Sequence, residues 1–167
     1  KLIVENNPKE AKSKIVAANL QAKRALEERR DSVHLLSGQK ENQTLKAALE
    51  SIIHESTDGT GITVRSEIEE INVSSAKHRF LCNSLKEGIS NGLRHGGATA
   101  FWFELKMQND KIEFLLSDNG KGVKAGEWQT GFGLSSMQNR AKSFGGEVAF
   151  ATDEGFELTI VLPVDQK

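Results

Sequence analysis

The sequence predicts an α+β fold, a two-layer sandwich in which helices cover one mixed or antiparallel sheet, with a long helix ahead of it. Three observations lead there. Apolar residues recur at three- and four-residue steps in several glycine-poor stretches, as a helix with one buried stripe requires. Elsewhere they alternate in short runs bounded by Asn, Asp and Gly, as half-buried strands do. Helical and strand segments do not alternate strictly, and hairpins dominate the second half, which fits a helix layer on a sheet better than a parallel βαβ array.

Asn7-Pro8 is a helix start, because Asn can cap free amides and Pro is tolerated in the first turn. No Gly or Pro interrupts the run to Leu36, whose apolar positions Ile15, Ala18, Ala22, Ala25 or Leu26, Val33 and Leu36 form one stripe. The spacing predicts a helix of about eight turns, and a helix with a single apolar stripe needs a partner helix. Ser37-Gly38 ends it. A shorter helix is expected from Asn42 to about Glu55. The turn cluster Asp58-Gly59-Thr60-Gly61 then leads into a strand over 62–68. A second long helix is expected from Ser74 or Ser75 to His95, with Phe80, Leu81, Leu85, Ile89 and Leu93 on its apolar side, stopped by Gly96-Gly97. Strands follow over about 100–107 and 111–117, joined at Asn109-Asp110. After a glycine-rich stretch over 118–133 comes a helix over about 134–144. Two short strands, about 147–151 and 157–162, close the chain around the turn Asp153-Glu154-Gly155.

Composition narrows the function. Of 167 residues, 37% are hydrophobic and 27% charged, a globular rather than a disordered balance. The formal net charge of −1 offers no basic surface, so nucleic acid is not an expected partner. The one cysteine, Cys82, excludes an intramolecular disulfide or a cysteine-cluster zinc site and fits a reducing compartment. No apolar stretch approaches the ~20 residues of a membrane span, and no signal peptide is visible. The opening Lys1-Leu2-Ile3-Val4, without Met, reads as a fragment start, so any membrane attachment is expected through parts outside it.

Three short patterns carry chemistry. Glu87, Asn91 and His95 are spaced i, i+4, i+8 and share one helix face. An amide oxygen beside a carboxylate suits Mg²⁺, which prefers hard oxygen ligands and keeps waters for phosphates; Arg94 and His95 stand where a polyphosphate could be touched. Taken alone, the same face reads as a solvated polar stripe. Asp118-Asn119-Gly120-Lys121-Gly122 follows an apolar strand, where Asp can accept a hydrogen bond from an exocyclic amine and two glycines let backbone pass close to a flat ring. It also reads as an ordinary Asn-Gly turn. Gly131-Phe132-Gly133-Leu134 opens into a helix whose first amides and dipole favour phosphate, or it is a plain loop before a helix.

In this order the three patterns resemble the ATP-binding superfamily shared by histidine kinases, DNA gyrase, Hsp90 and the mismatch-repair ATPase, often called GHKL. Glu87-x-x-x-Asn91-x-x-Arg94-His95-Gly96 looks like its N box, Asp118 to Gly122 its G1 box and Gly131 to Leu134 its G2 box. The continuation Ser135-Ser136-Met137-Gln138-Asn139-Arg140-Ala141, Gly145-Gly146 and the run over 94–98 resemble most closely the NarL/DesK-like sensor kinases. The resemblance implies the Bergerat ATP-binding fold over 39–167, with 1–38 as the second helix of a dimerisation hairpin. It implies ATP and Mg²⁺ as cofactors, with Asn91 on the metal and Glu87 ordering its water shell, both in catalytic roles. Arg94 or His95 would approach phosphate, and Asp118 would hold adenine. Gly120, Gly122, Gly131 and Gly133 would give close backbone approach, with Val123 and Leu134 among the nucleotide contacts. The segment 123–130, with Gly126 and Trp128, would be an ATP lid.

The implied reaction is γ-phosphoryl transfer to a hairpin histidine and onward to a response regulator receiver domain, in a cytoplasmic homodimer. His34 does not fit as acceptor: Leu35-Leu36 follow it where the family has an acidic residue, and the 42–55 helix is too short to be a second hairpin helix. The long helix therefore resembles the second one, and the fragment is expected not to autophosphorylate. His54 and His78 have no partner constellation. Two positions depart from the family, Phe156 after Gly155 where Thr is usual, and Gln138 where Arg is common. A GHKL ATPase or anti-sigma-type serine kinase is an alternative, against which the long helix argues. A degenerate nucleotide-binding scaffold is another, favoured by Phe156.

Overall fold

Alternation in three strands builds the floor of the molecule. The computed structural model describes residues 43–122, 132–152 and 155–165; the expected hairpin helix and lid lie outside them. Its strands are β1 (Thr63–Ile68), β2 (Ala100–Gln108), β3 (Lys111–Asp118), β4 (Glu147–Ala151) and β5 (Glu157–Pro163). They form one sheet in the order β1-β2-β3-β5-β4. β1 pairs with β2 in parallel and every other pairing is antiparallel, so the sheet is mixed. Phe101, Phe103 and Leu105 of β2, Ile112, Phe114 and Leu116 of β3, and Leu158, Ile160 and Leu162 of β5 are all buried. Register sets these residues side by side: Phe103 opposes Leu116, which opposes Leu158, and Leu105 opposes Phe114, which opposes Ile160. With side chains alternating along a strand, this makes one dry face. Phe103 and Phe114 meet edge-on at 4.9 Å between ring centroids.

Three helices cover that face. Each supplies a stripe at helical spacing: Leu45, Leu49 and Ile52 from α1 (Leu45–Thr57), Phe80, Leu81, Leu85 and Ile89 from α2 (Ser75–Asn91), and Leu134, Met137 and Ala141 from α3 (Phe132–Ser143). Thr44 caps α1 by accepting from the Ala47 amide, and Ser56 and Thr57 return hydroxyl protons to the carbonyls of Ile52 and Ile53 at its end. The opposite sheet face is open, with Trp102 44% exposed. The Asn109-Asp110 turn takes φ of 51° and 57°, a two-residue hairpin link that Asn and Asp tolerate.

The N-terminus of α2 is held by a distant part of the chain. Ser74 caps it without using its own side chain. Instead, Asp165 Oδ2 accepts from the Ser74 amide at 2.6 Å, and Asp165 Oδ1 pairs with Lys77 Nζ at 2.7 Å. Lys77 Nζ also donates to the Pro163 carbonyl at 2.7 Å. Lys77 is buried, so its charge depends on these partners. The hydrogen bond from Lys77 holds the Asp165 carboxyl below its ordinary value, helped by the Ser74 amide and opposed by partial burial.

A carboxyl with a depressed folded pKa stabilises the fold above the ordinary carboxylate range and loses that contribution as pH falls through the depressed value. Asp165 is partly exposed and therefore screened, which keeps the effect below that of a fully buried pair. Asp165→Asn should lower the unfolding free energy at neutral pH by about 1–2 kcal/mol. Urea unfolding at neutral pH and below pH ~4 should show a shallower acid loss in the variant than in the parent.

Candidate functional site

α2 and the turn that follows it run close along β3 because Gly88 and Gly92 lack side chains. A Cβ on Gly88 would collide with the Leu116 methyl, and one on Gly92 would lie 2.5 Å from Asp118 Oδ2 and 2.6 Å from the Phe101 ring. Four helical residues rise about 6.0 Å and two strand residues about 6.6 Å. The contacts 88/116 and 92/118 therefore stay in step, and they fix the height of α2 over the end of β3. On the accessible side of the same helix, Asn91 Nδ2 donates to Glu87 Oε1 at 3.1 Å.

The helix expected to continue to His95 changes pitch after Asn91. Gly92–Gly96 form a π turn, closed by Gly97 at φ 61°. The Gly92 carbonyl accepts from both the Gly97 and Ala98 amides. Two glycines ahead of a left-handed residue let the backbone widen, and π turns recur where a helix end serves a site. Arg94 and His95 lie on this turn, both exposed.

Facing the turn is the Asp118 carboxylate. Its Oδ1 accepts from the Gly120 amide at 2.7 Å and from the Phe156 amide at 3.2 Å, while its own amide donates to the Phe156 carbonyl at 3.0 Å. Its Oδ2 is buried and has no hydrogen-bond partner among the described residues. Glycines crowd the group: a Cβ on Gly120 would lie 2.8 Å from Oδ1 and 3.0 Å from Gly96 Cα, and one on Gly155 would strike the Asp118 carbonyl. Gly122 and Gly155 have φ of 63° and 92°, and a Cβ on Gly122 would strike the Thr152 carbonyl. The Lys121 amide donates to the Gly96 carbonyl at 3.0 Å, joining this turn to the π turn.

Asn119 has a role the sequence did not reveal. Its Oδ1 accepts from the Thr99 and Ala100 amides, each at 2.9 Å, and its Nδ2 donates to Thr99 Oγ1 at 3.1 Å. It extends the β2–β3 ladder by one side chain and holds the start of β2 in place. Gly92 has no sequence signal beyond being a glycine in a helix, and Gly155, expected only as a turn residue ahead of Phe156, packs against Asp118.

α3 begins at Phe132, earlier than expected, so Gly133 lies inside its first turn. What approaches Gly133 is Glu87: a Cβ there would lie 2.7 Å from Glu87 Oε1. The structure thus brings Glu87, Asn91 and Gly133 together, and separately Asp118, Gly120, Gly122 and the π turn. Leu134 is buried in the core, so only its backbone can take part in a site. Val123 and Gly131 lie outside the described residues. Gln138 is half-buried on α3. Phe156 is half-buried against the core and stacks on Phe150 at 6.0 Å and 24°. His54 is exposed; His78 places Nδ1 3.9 Å from Cys82 Sγ, away from the site.

Residues 76–166 match the histidine kinase-, DNA gyrase B-, and HSP90-like ATPase family, and the chain belongs to it. Its curated relatives are sensor kinases. It is 32% identical over 142 residues to sensor histidine kinase LnrJ of Bacillus subtilis, covering 82% of this chain and 34% of that one. It is 28% identical over 141 residues to the signal transduction histidine-protein kinase/phosphatase UhpB of Salmonella typhimurium, covering 80% and 28%. The chain spans about a third of the length of these relatives. The ATP binding domain of PrrB from Mycobacterium tuberculosis shares the fold, with a TM-score of 0.60 at 21% identity over 74% of this chain and 96% of that one. A histidine kinase domain from Erythrobacter litoralis gives 0.62 at 17% identity, over 72% and 61%.

The positive φ of Gly155 and its contact with Asp118 predict that this position accepts only glycine. Gly155→Ala should destabilise the domain by about 2 kcal/mol or more, from left-handed strain and the collision together. Chemical denaturation measures this directly.

Proposed function

We propose that the chain binds Mg·ATP between the end of α2, the 118–122 turn and the start of α3, and that it acts as the catalytic domain of a sensor histidine kinase. One observation carries the reading: the buried, unpaired Oδ2 of Asp118. An unsatisfied buried acceptor costs about 1–3 kcal/mol, and the exocyclic amine of adenine is a donor that removes that cost. Oδ1 is already committed to backbone amides, so the carboxylate offers one fixed oxygen to a base.

Asn91 presents an amide at the accessible end of α2, with the Glu87 carboxylate beside it, a donor set suited to a hard divalent cation. Among the described residues no group of three His, Cys, Asp or Glu side chains could enclose a metal; a cation here would complete its shell with phosphate and water, as Mg²⁺ does. When bound, Mg²⁺ would neutralise phosphate charge during transfer. Arg94 and His95, exposed on the π turn, can approach the same phosphates, and the first turn of α3 adds amides and a favourable dipole. Gly120, Gly122, Gly131 and Gly133 with Val123 and the Leu134 backbone complete the proposed contacts, and 123–130 would close as a lid.

Transfer would break the bond between the γ-phosphorus and its bridging oxygen and form one to an imidazole nitrogen, with an acidic neighbour of that histidine taking its proton. His34 lies outside the described residues, and its Leu35-Leu36 sequel argues against its being the acceptor. We place residues 1–38 in a dimerisation hairpin and a response regulator receiver domain downstream, on the cytoplasmic side. Among the described residues no helix is long and apolar enough to cross a membrane.

ATP titrations with and without Mg²⁺ test the site. Asn91→Ala should weaken the Mg-dependent affinity by about tenfold or more, and Asp118→Ala should weaken binding by a similar factor with or without metal. Unchanged titrations in both variants reject the site. Mixing the chain with an intact hairpin carrying the acceptor histidine should give phosphohistidine on the hairpin; label at His34 would overturn the helix assignment.

A further inference from the structure

We propose that Glu87 is a positioning residue that fixes which end of the Asn91 amide faces outward. The inference rests on the Mg·ATP reading above and assigns Glu87 a role acting through its neighbour. An amide has two ends of nearly equal shape, one an acceptor and the other a double donor. A hard cation takes only the oxygen. A carboxylate can only accept, so Asn91 turns its nitrogen to Glu87, at 3.1 Å, and keeps its oxygen for a metal. A glutamine at 87 would let the pair settle either way round.

Glu87 is itself constrained. Its Oε1, the atom that accepts from Asn91, packs on the backbone of Gly133 in the first turn of α3. A Cβ at 133 would lie 2.7 Å from it, so the end of the carboxylate would have to shift. The positive end of α3 favours a carboxylate there. Gly133 leaves room for the Glu87 carboxylate beside the first turn of α3. The order of dependence runs from Glu87 to the oxygen of Asn91.

A double-mutant cycle tests this, read as the ratio of affinities for a non-hydrolysable ATP analogue with Mg²⁺ and with chelator. With Asn at 91, Glu87→Gln should reduce that ratio by about twofold, as the share of Asn91 left with its oxygen outward falls to about half, with a smaller change in metal-free affinity. In the Asn91→Asp background both ends of the side chain are oxygens, so Glu87→Gln should cost nothing, or gain by relieving repulsion. Without metal or nucleotide, the side-chain amide protons of Asn91 should exchange more slowly in the parent than in Glu87→Ala, which has no acceptor at 87, by NMR. Equal loss in both backgrounds would mean that Glu87 acts on the metal directly, and no loss with Asn at 91 would mean that it orients nothing; either overturns the proposal. If the parent shows no Mg-dependent affinity, the Mg·ATP reading fails, and amide exchange still decides whether Glu87 holds Asn91.

Discussion

The site depends on a single carboxylate held from one side only. Asp118 Oδ1 takes two backbone amides, one from the turn that follows it and one from the segment that opens β5. That arrangement ties the end of β3 to the start of β5 and leaves Oδ2 buried without a partner among the described residues. Leaving a buried acceptor unpaired works against folding. It persists because the neighbouring backbone is crowded in at Gly92, Gly120 and Gly155, where no side chain could enter to satisfy or displace the group. The glycines are thus part of the electrostatics: they keep the oxygen waiting.

α2 links this group to the rest of the fold. Its N-terminus is secured by Asp165 and a buried lysine, its middle by the Gly88 contact with Leu116, and its last α-helical residue carries the amide proposed for a metal. Seventeen residues span about 25 Å, so a well-packed helix carries position from the clamped end to the working end. Beyond Asn91 the chain gives up regular α-helical bonding for a π turn. The strong packing and the irregular backbone therefore occupy opposite ends of one element, as expected where a rigid scaffold presents a site.

Much of this was legible in the sequence because burial imposes periods. The two-residue alternation of 101–105, 112–116 and 158–162 is the inner face of the sheet, and the stripes of α1 and α2 are its cover. Partner choice was not legible: nothing in 62–68 announces that β1 lies parallel to β2 rather than antiparallel. The burial of Lys77 depends on Pro163 and Asp165, far along the chain, which no local pattern announces. Gly133 reads as a glycine just ahead of a helix, yet it lies within α3, beside Glu87 of another helix. The three site patterns were visible as motifs, whereas the step-for-step match of Gly88 and Gly92 to Leu116 and Asp118 exists only once helix and strand are laid together.

The same separation of backbone from side chain bears on Phe156. Where the family's usual residue carries a hydroxyl, this chain has a ring, and loss of a polar group next to Asp118 would be expected to loosen it. The bonds that hold Asp118 here are the amide and carbonyl of residue 156, which any side chain leaves intact. The ring stacks on Phe150 and packs against the core. The substitution therefore leaves the backbone bonds that hold Asp118 in place, and gives little support to a chain that has lost its nucleotide.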